Sequence, residues 1–292
     1  MVVLTYILLC LIWGSTWLAI KIGLSEAPPL TTAALRFAIA SGILASIARL
    51  RGYHYPGELR KWLSLGYPGL YMYGASYAFV YFAEQYIDSA LAAVLFGAYP
   101  FFVAILTWMR YRNEKLSLIA WLGMIIGFAG VVLISLDSLQ TSGQLFLGVL
   151  LAVAGPFVSA WGIVIHKQHY SGENIVVAVN VQMIFGGIPL VLGALIFERW
   201  TDFNISPESI GSILYLATFG TVVTFLSYYW LLRHLRLTTV SLIAFVTPMV
   251  AILIGVIFAD EKMTPLIILG TALILSGIFL VVRKPAVLPE RR

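Results

Sequence analysis

The sequence predicts an all-α integral membrane protein with ten transmembrane helices arranged as two inverted five-helix repeats. Three observations support this fold class: the composition, the series of apolar segments and a similarity between the two halves of the chain. Of the 292 residues, 61% are hydrophobic and 11% are charged, whereas soluble domains have about 45–50% apolar and about 25% charged residues. Because a soluble globule could not bury so much apolar surface, the composition excludes a soluble enzyme, a nucleic-acid-binding protein and a disordered protein.

Apolar segments follow one another along the whole chain with short loops between them. A membrane-crossing helix needs about 20 apolar residues, so ten such helices use about 200 residues and leave no room for a separate soluble domain. The first segment lacks the basic region of a signal peptide, which indicates a span that is retained. The predicted spans cover residues 3–22, 30–50, 62–83, 90–109, 117–136, 145–166, 174–197, 209–232, 239–259 and 264–282.

The basic residues predict the orientation of these spans. If the amino terminus lies inside, the inner loops and the tail hold most of the eighteen Lys and Arg residues, and the outer loops hold only Arg199 and Lys262. This bias follows the positive-inside rule. It predicts a multi-pass protein of the plasma membrane, the inner membrane in bacteria, with both termini in the cytoplasm. The bias also accounts for the net charge of +5 without a nucleic-acid partner.

The two halves of the sequence resemble each other. A shift of 148 residues aligns Trp13 with Trp161 and Pro100 with Pro248. Each half would hold five spans, and because five is odd, the second half would enter the membrane inverted. The predicted units are a first repeat over residues 1–140, a second repeat over residues 141–283 and a cytoplasmic tail over residues 284–292.

Loop charges agree with this inversion. Glu84 and Asp88 follow the third predicted span, whereas Arg233 and Arg236 follow the eighth, which is its equivalent in the second half. Equivalent loops therefore carry opposite charge, as expected if they lie on opposite sides of the membrane. Inverted repeats are typical of secondary transporters, in which two related halves alternate between outward-open and inward-open states.

Several short motifs occur in a fixed order over about residues 3–283. They are Trp13-Gly14-Ser15-Thr16, Ala34-Leu35-Arg36-Phe37, Pro100, Thr247-Pro248, Glu114-Lys115 with Gly123 and Gly130, and Glu261-Lys262 with Gly270 and Gly277. With these motifs the chain resembles the EamA family of the drug/metabolite transporter superfamily. Asn113 and Asp260 replace the glycine that the family usually has before the loop glutamate, a departure that concerns loop geometry. The resemblance implies a ten-helix carrier of small metabolites, often an exporter of amino acids or related compounds.

Aromatic side chains are the candidate substrate-binding residues. Tyr73, Tyr77 and Tyr81 follow one another at i, i+4 and i+8, so they form one stripe on a helix. A tyrosine hydroxyl at bilayer depth needs a polar partner, so this stripe should face protein or water. We predict an amphipathic cavity for a zwitterion with an apolar side chain, and simple packing is the alternative interpretation. The predicted lining residues are Trp17, Tyr77, Tyr81, Tyr99, Trp161 and Tyr229.

Prolines inside the predicted spans are candidate hinges. Pro100, Pro156 and Pro248 fall within spans 4, 6 and 9. An interior proline removes a backbone hydrogen bond and can kink a helix. We predict that these prolines are hinges of the transport cycle, with fixed kinks as the alternative.

Charged residues are scarce inside the spans. Glu84 is the acidic residue nearest to a span centre and is expected at the outer end of span 3. Carriers driven by a midplane proton relay usually keep an acidic residue there, so the sequence favours a facilitator, an exchanger, or coupling through something other than a central carboxylate. Lys21 and Arg36 lie near the outer face, where they could reach the headgroups or pair with Glu26. Attraction of a substrate carboxylate is the alternative for both cations.

These observations together predict a secondary, non-ATP-driven transporter of small amphipathic metabolites, first of all amino acids or related compounds. It would work by alternating access as an exporter or facilitator, with a multidrug efflux carrier for aromatic or cationic compounds as the alternative. The sequence lacks the residue clusters of an intramembrane enzyme, the charge rings of a channel and the ligand spacing of a metal site. We therefore expect no enzymatic activity, metal or cofactor. Glycines in spans 5 and 10 indicate close helix packing, either within the chain or at a homodimer surface.

Overall fold

A computed structural model describes residues 2–110, 117–169, 174–234 and 243–283, and within these ranges the regular structure is entirely helical. The α-helices are α1 (Val2–Leu24), α2 (Pro29–Leu50), α3 (Leu59–Gly69), α4 (Ser76–Ala83), α5 (Ser89–Phe96), α6 (Tyr99–Arg110), α7 (Leu118–Thr141), α8 (Gly143–His169), α9 (Ile175–Phe197), α10 (Pro207–Ala217), α11 (Thr224–His234), α12 (Ile243–Ala259) and α13 (Pro265–Arg283). Two π-helical segments join α3 to α4 and α10 to α11: π1 (Leu70–Ala75) and π2 (Thr218–Val223). A short 3₁₀ turn covers Trp200–Asp202.

Among the described residues, six helical stretches are long and apolar enough to cross a membrane. They are Val2–Leu24, Pro29–Leu50, Ser89–Arg110, Gly143–Ile165, Ile175–Phe197 and Pro207–Leu231. Three shorter apolar helices accompany them: Leu118–Ile134, Val246–Ala259 and Pro265–Leu280. The chain is therefore a helical, multi-pass membrane protein, as the composition predicted.

Large apolar side chains cover the outer surface of the bundle. On α9, Ile188, Leu192, Leu195 and Ile196 are between 51% and 69% exposed. In water this exposure would be costly, whereas in a bilayer such side chains face lipid tails of the same polarity.

The helices α7 and α13 pack closely through their glycines. A Cβ atom on Gly277 would lie 2.4 Å from the carbonyl oxygen of Gly123, and one on Gly130 would lie 2.5 Å from that of Gly270. Backbones can approach this closely only where side chains are absent. The glycine-rich faces predicted in spans 5 and 10 are thus used against each other within the chain.

The candidate hinge prolines have different local structures. Pro156 lies inside α8 and Pro248 inside α12. Span 4 is broken at Gly97 and Ala98, between α5 and α6, in the turn that precedes Pro100, where a proline removes a helical hydrogen bond. Pro100 is the second residue of α6, where its missing N–H would have no intrahelical partner anyway.

Candidate functional site

Two π-helical segments lie within predicted spans 3 and 8. Residue 70 at the start of π1 corresponds to residue 218 at the start of π2, and residue 75 corresponds to 223, so both boundaries have an offset of 148. Short π-helical turns inside α-helices occur frequently at functional sites. In this protein π1 carries Tyr73, and π2 carries Gly220 and Thr221, which both contact a buried cation.

That cation is Arg36 of α2, which is only 1% exposed. Its Nε donates a hydrogen bond to Thr221 Oγ1 at 2.9 Å, and its Nη2 donates to the carbonyl oxygen of Gly220 at 3.1 Å. The Thr221 hydroxyl donates to the carbonyl oxygen of Leu216 at 2.8 Å, which orients its lone pairs towards Arg36. The expectation that Arg36 reaches the membrane surface is therefore wrong, because π2 supplies buried oxygen acceptors for the guanidinium.

Aromatic rings surround the Arg36 guanidinium. Its central carbon lies 4.8 Å from the centroid of the Tyr77 ring and 5.7 Å from that of Phe37, within the range of cation–π attraction. The hydroxyl of Tyr81 lies 3.5 Å from Arg36 Nη1, at the outer limit of a hydrogen bond. Tyr73 packs edge-on against Phe37 at 5.7 Å. We call Arg36, Phe37, Tyr73, Tyr77, Tyr81 and Thr221 the Arg36 site.

The Arg36 site contains a fully buried polar atom that has no partner among the described residues. Tyr73 is 1% exposed, and its hydroxyl has no hydrogen-bond partner within the described parts of the chain. Buried polar atoms are nearly always hydrogen-bonded. The hydroxyl is therefore available to a polar group of a bound molecule or to water.

Four of the six predicted lining residues lie in two aromatic groups. Tyr77 and Tyr81 belong to the Arg36 site. Trp17 packs against Phe96 at 5.4 Å between ring centroids, and Phe96 stacks on Tyr99 at 6.1 Å. Trp17 also contacts both of the larger hydrophobic clusters of the bundle, so it connects the two aromatic groups.

The other two predicted residues differ from each other. Tyr229 is partly buried against the same hydrophobic cluster as Tyr73 and Tyr81, and its ring meets that of Tyr228 edge-on at 5.8 Å. Trp161 is 47% exposed and makes no ring contact with the other aromatic residues that the structure describes. The structure therefore does not bring Trp161 to the Arg36 site.

Sequence reasoning gave too little weight to Arg36 and did not single out Thr221. A signal for Arg36 was present, because an ionisable residue within an apolar span is a candidate functional residue by default. No signal marked Thr221, whose role depends on the π-helical turn of another span.

At one end of the bundle, two carboxylates cap helix N-termini. Glu261 accepts hydrogen bonds from the main-chain N–H groups of Ser89 and Ala90, both at 2.9 Å, and from the Ser89 hydroxyl at 2.5 Å. Glu198 accepts from the main-chain N–H groups of Leu30 and Thr31, both at 2.7 Å. Such contacts satisfy the free donors of the first helical turn and favour its dipole.

A lysine and an amide complete this end, which we call the closed face. Lys21 Nζ donates to the carbonyl oxygens of Glu84 at 3.0 Å and Ile87 at 2.8 Å. The predicted pairing of Lys21 with Glu26 does not form. Instead, the Glu26 carboxylate accepts a hydrogen bond from the Asn204 side chain. The closed face thus joins α1 to the turn after α4, α2 to the end of α9, and α5 to the loop after α12.

A helical membrane bundle with interrupted helices around a buried, polar, aromatic-lined centre is typical of secondary transporters. The chain belongs to the EamA-like transporter family, whose model matches residues 1–136 and 146–283. This confirms the resemblance that the motifs indicated, and it points to a transporter rather than an enzyme. In the described residues, no group of three or more His, Cys, Asp or Glu side chains could hold a metal ion.

Related proteins are named as transporters. The chain is 32% identical to a transporter of Archaeoglobus fulgidus over 93% of this chain and 95% of that one. It is 29% identical to the inner membrane transporter YedA of Escherichia coli strain K12, over 96% and 92% of the two chains. A probable amino-acid metabolite efflux pump of the same strain is 27% identical over 94% and 92%.

A solved crystal structure has the same fold, with a TM-score of 0.68, 17% identity and 96% of each chain covered. At this identity the similarity concerns the fold alone. Together with the apolar helices, the inner membrane relative supports a multi-pass location in the membrane.

Proposed function

We propose that this protein is a secondary transporter that exports small zwitterionic metabolites, amino acids or related compounds, by alternating access. The observation that carries this proposal is the buried cation of Arg36 within an aromatic wall. A guanidinium has five N–H donors in a planar fork that fits a carboxylate. The described contacts leave some of these donors free, so a substrate carboxylate can bind Arg36 while its side chain packs on the tyrosine rings.

The name of one relative is consistent with this substrate class. The Escherichia coli protein described as a probable amino-acid metabolite efflux pump aligns over nearly the whole chain. Its alignment includes the segments that build the Arg36 site, so export of amino-acid metabolites is a direct hypothesis to test here.

We also propose the ten-span arrangement in two repeats over residues 1–140 and 141–283. The 148-residue offset supports it, because it relates α3 (Leu59–Gly69) to α10 (Pro207–Ala217). The same offset relates π1 to π2. Helix packing supports it too: α1 packs against α10, α11 and α12, and α8 packs against the equivalent α3, α4 and α6. Two repeats with matching contacts could exchange conformations and open opposite faces in turn.

The basic residues support a cytoplasmic location for both termini in this proposal. The closed face, at the carboxyl end of α1, would then lie outside. A homodimer would have to use a surface other than the glycine faces of α7 and α13, which are already packed together.

The test is counterflow of labelled amino acids in proteoliposomes that contain the purified protein. Phenylalanine and its decarboxylated analogue phenethylamine form the informative pair, because only the former has a carboxylate. We expect saturable exchange of phenylalanine and much weaker exchange of the amine. In Arg36→Met the exchange of phenylalanine should fall by about tenfold or more, equivalent to about 1.4 kcal/mol.

The matched control is Arg51→Met, which removes an exposed arginine at the end of α2 and should leave the exchange unchanged. If sealed liposomes exchange none of the amino acids in a wider panel, the amino-acid proposal is wrong. Exchange of aromatic cations such as ethidium would then favour the multidrug alternative.

A further inference from the structure

The turn after α4 holds a buried carboxylate that lies outside the Arg36 site. Glu84 follows the last residue of α4 and is 1% exposed. Neither of its carboxylate oxygens has a hydrogen-bond partner within the described chain. An ionised carboxylate is very costly to bury without hydrogen bonds, whereas the protonated acid costs much less.

The closed face keeps this carboxylate away from water. From α1, the Lys21 ammonium donates to the main-chain oxygen of Glu84 rather than to its side chain. From α8, Gly148 approaches so closely that a Cβ atom there would lie 3.3 Å from the carbonyl oxygen of Ala83. The Glu261 cap of α5 closes the region beyond the turn. Opening of the closed face would therefore admit water to Glu84.

The charges that face Glu84 act in opposite directions. Burial has the largest effect and disfavours the ionised form. Lys21 on α1 and Arg36 on α2 favour the ionised form, and Glu261 from the loop after α12 disfavours it. On its own helix, Glu84 also interacts with the hydroxyl of Tyr81, one turn earlier. Because two cations lie nearby, the ionised form becomes favourable once water replaces the dry surroundings.

We propose that Glu84 is a proton-binding site that must be protonated before the closed face can shut. The step is a single protonation: an O–H bond forms on the carboxylate with a proton from water on the open side, and breaks when the face opens again. This inference rests on the proposed transport function. It also extends the interpretation of the sequence, which predicts no carboxylate at the membrane midplane. Transport would depend on protonation of a carboxylate at the closed face instead.

The first test is the pH dependence of phenylalanine counterflow with equal pH on both sides of the liposome membrane. Phenylalanine stays zwitterionic from mildly acidic to mildly alkaline pH, so a change in rate reports on the protein. We expect the wild-type rate to fall as the pH rises, by up to about tenfold per pH unit where Glu84 ionises. Glu84→Gln, which mimics the protonated acid, should keep the acid-side rate at every pH.

Glu208→Gln is the matched control, because Glu208 is an exposed carboxylate at the start of α10 on the same face. This variant should keep the wild-type pH profile. A Glu84→Gln protein that retains the wild-type pH profile would overturn the proposal, as would a wild-type rate that does not change with pH. Loss of counterflow in a folded, monodisperse Glu84→Gln protein would also overturn it, because Glu84 would then bind substrate.

The second test needs no substrate and therefore separates this inference from the transport proposal. Infrared spectra of the purified protein should show the carbonyl stretch of a protonated carboxylic acid that Glu84→Gln lacks and Glu208→Gln retains. Absence of this band in the wild type, or its persistence in Glu84→Gln, would show that Glu84 is ionised in the closed arrangement and would refute the proton site. If the band is present and no amino acid is transported, the transport proposal fails and the proton site stands.

Discussion

At the scale of single residues, the Arg36 site depends on a few atoms that hold a buried positive charge in place. A buried cation is tolerated only where hydrogen-bond acceptors replace its water shell. Thr221 and Gly220 supply these acceptors from π2, and the Tyr77 ring adds cation–π attraction. The arginine can therefore stay charged and point its remaining donors at a ligand.

Replacement of Thr221 tests this positioning. Thr221→Val keeps the shape of the side chain and removes the acceptor for Arg36 Nε, which should destabilise the protein by about 1–3 kcal/mol. The affinity for phenylalanine should fall as well, because the guanidinium is no longer fixed. Thr221→Ser keeps the hydroxyl and should restore the affinity, measured as the half-saturation concentration in counterflow. Equal affinities in the valine and serine variants would contradict the positioning role.

At the scale of helices, the contact between α7 and α13 is limited by the absence of side chains. A Cβ atom on Gly277 would meet main-chain atoms, with Gly127 N at 2.6 Å. A main chain inside a helix cannot move aside as a flexible side chain can. If residue 277 had a side chain, α7 and α13 would therefore have to move apart along their whole contact.

We expect Gly277→Ala to lower the stability by about 1–3 kcal/mol, as overpacking does. Gly42→Ala is the matched control, because Gly42 also lies inside a helix and a Cβ atom there would meet no other atom within 4 Å. That variant should be neutral or more stable by up to about 1 kcal/mol, since alanine favours the helix. Thermal unfolding in detergent measures both. Equal unfolding temperatures for the two variants would show that the close approach carries no strain.

The break in span 4 and the proline inside α12 also belong to this scale. A Cβ atom on Gly97, at the break between α5 and α6, would lie 3.7 Å from Cγ of Pro248 inside α12. Pro248 therefore lies against the break between α5 and α6. This position would let one half-helix move against another without the loss of a regular hydrogen-bond ladder.

Two variants test whether a proline acts as a hinge inside a helix, as proposed for Pro248, or only occupies the first turn of a helix, as Pro100 does. Pro248→Ala should slow the turnover of transport by several-fold and change the half-saturation concentration little, because a continuous helix would bend less easily. Pro100→Ala should change neither quantity much, because Pro100 occupies the first turn of α6. Both are measured as initial rates over a range of substrate concentrations. A Pro248 variant with weaker binding and normal turnover would argue against the hinge.

At the scale of the whole molecule, loop contacts hold several helices together at one end of the bundle, the closed face. There Glu198 and Glu261 bind main-chain groups of α2 and α5, and Lys21 binds a carbonyl oxygen of the turn after α4. Alternating access requires these contacts to break and form in each cycle. Fixing them should therefore stop transport.

A cross-link across the closed face tests this requirement. Ser89→Cys and Glu261→Cys would be combined in a Cys10→Ser background, because Cys10 is the one cysteine of the chain. A short cleavable linker between the two new thiols should abolish counterflow, and cleavage of the linker should restore it. The two single-cysteine variants treated in the same way are the controls. Transport that continues in the fully cross-linked protein would show that this face does not open.

The sequence by itself determined the class of this protein. Composition and apolar segments predicted a helical membrane protein, and the ordered motifs predicted the EamA-like family, because these properties depend on local residue content and on residue order. The stripe of Tyr73, Tyr77 and Tyr81 was also readable, since a helix places residues four apart on one face.

Only the tertiary structure decided the electrostatics of the site. Arg36 and Glu84 both lie towards the ends of predicted spans, and for Arg36 the sequence suggested contact with headgroups. Burial depends on which other segments pack over a residue, and these segments are distant in the chain: π2 covers Arg36, while α8 and the Glu261 loop close over Glu84. The π-helical turns could likewise not be predicted, because no single residue type marks them in the sequence. The sequence therefore determines that the chain enters the membrane, and packing between distant helices determines which of its charges lose contact with water.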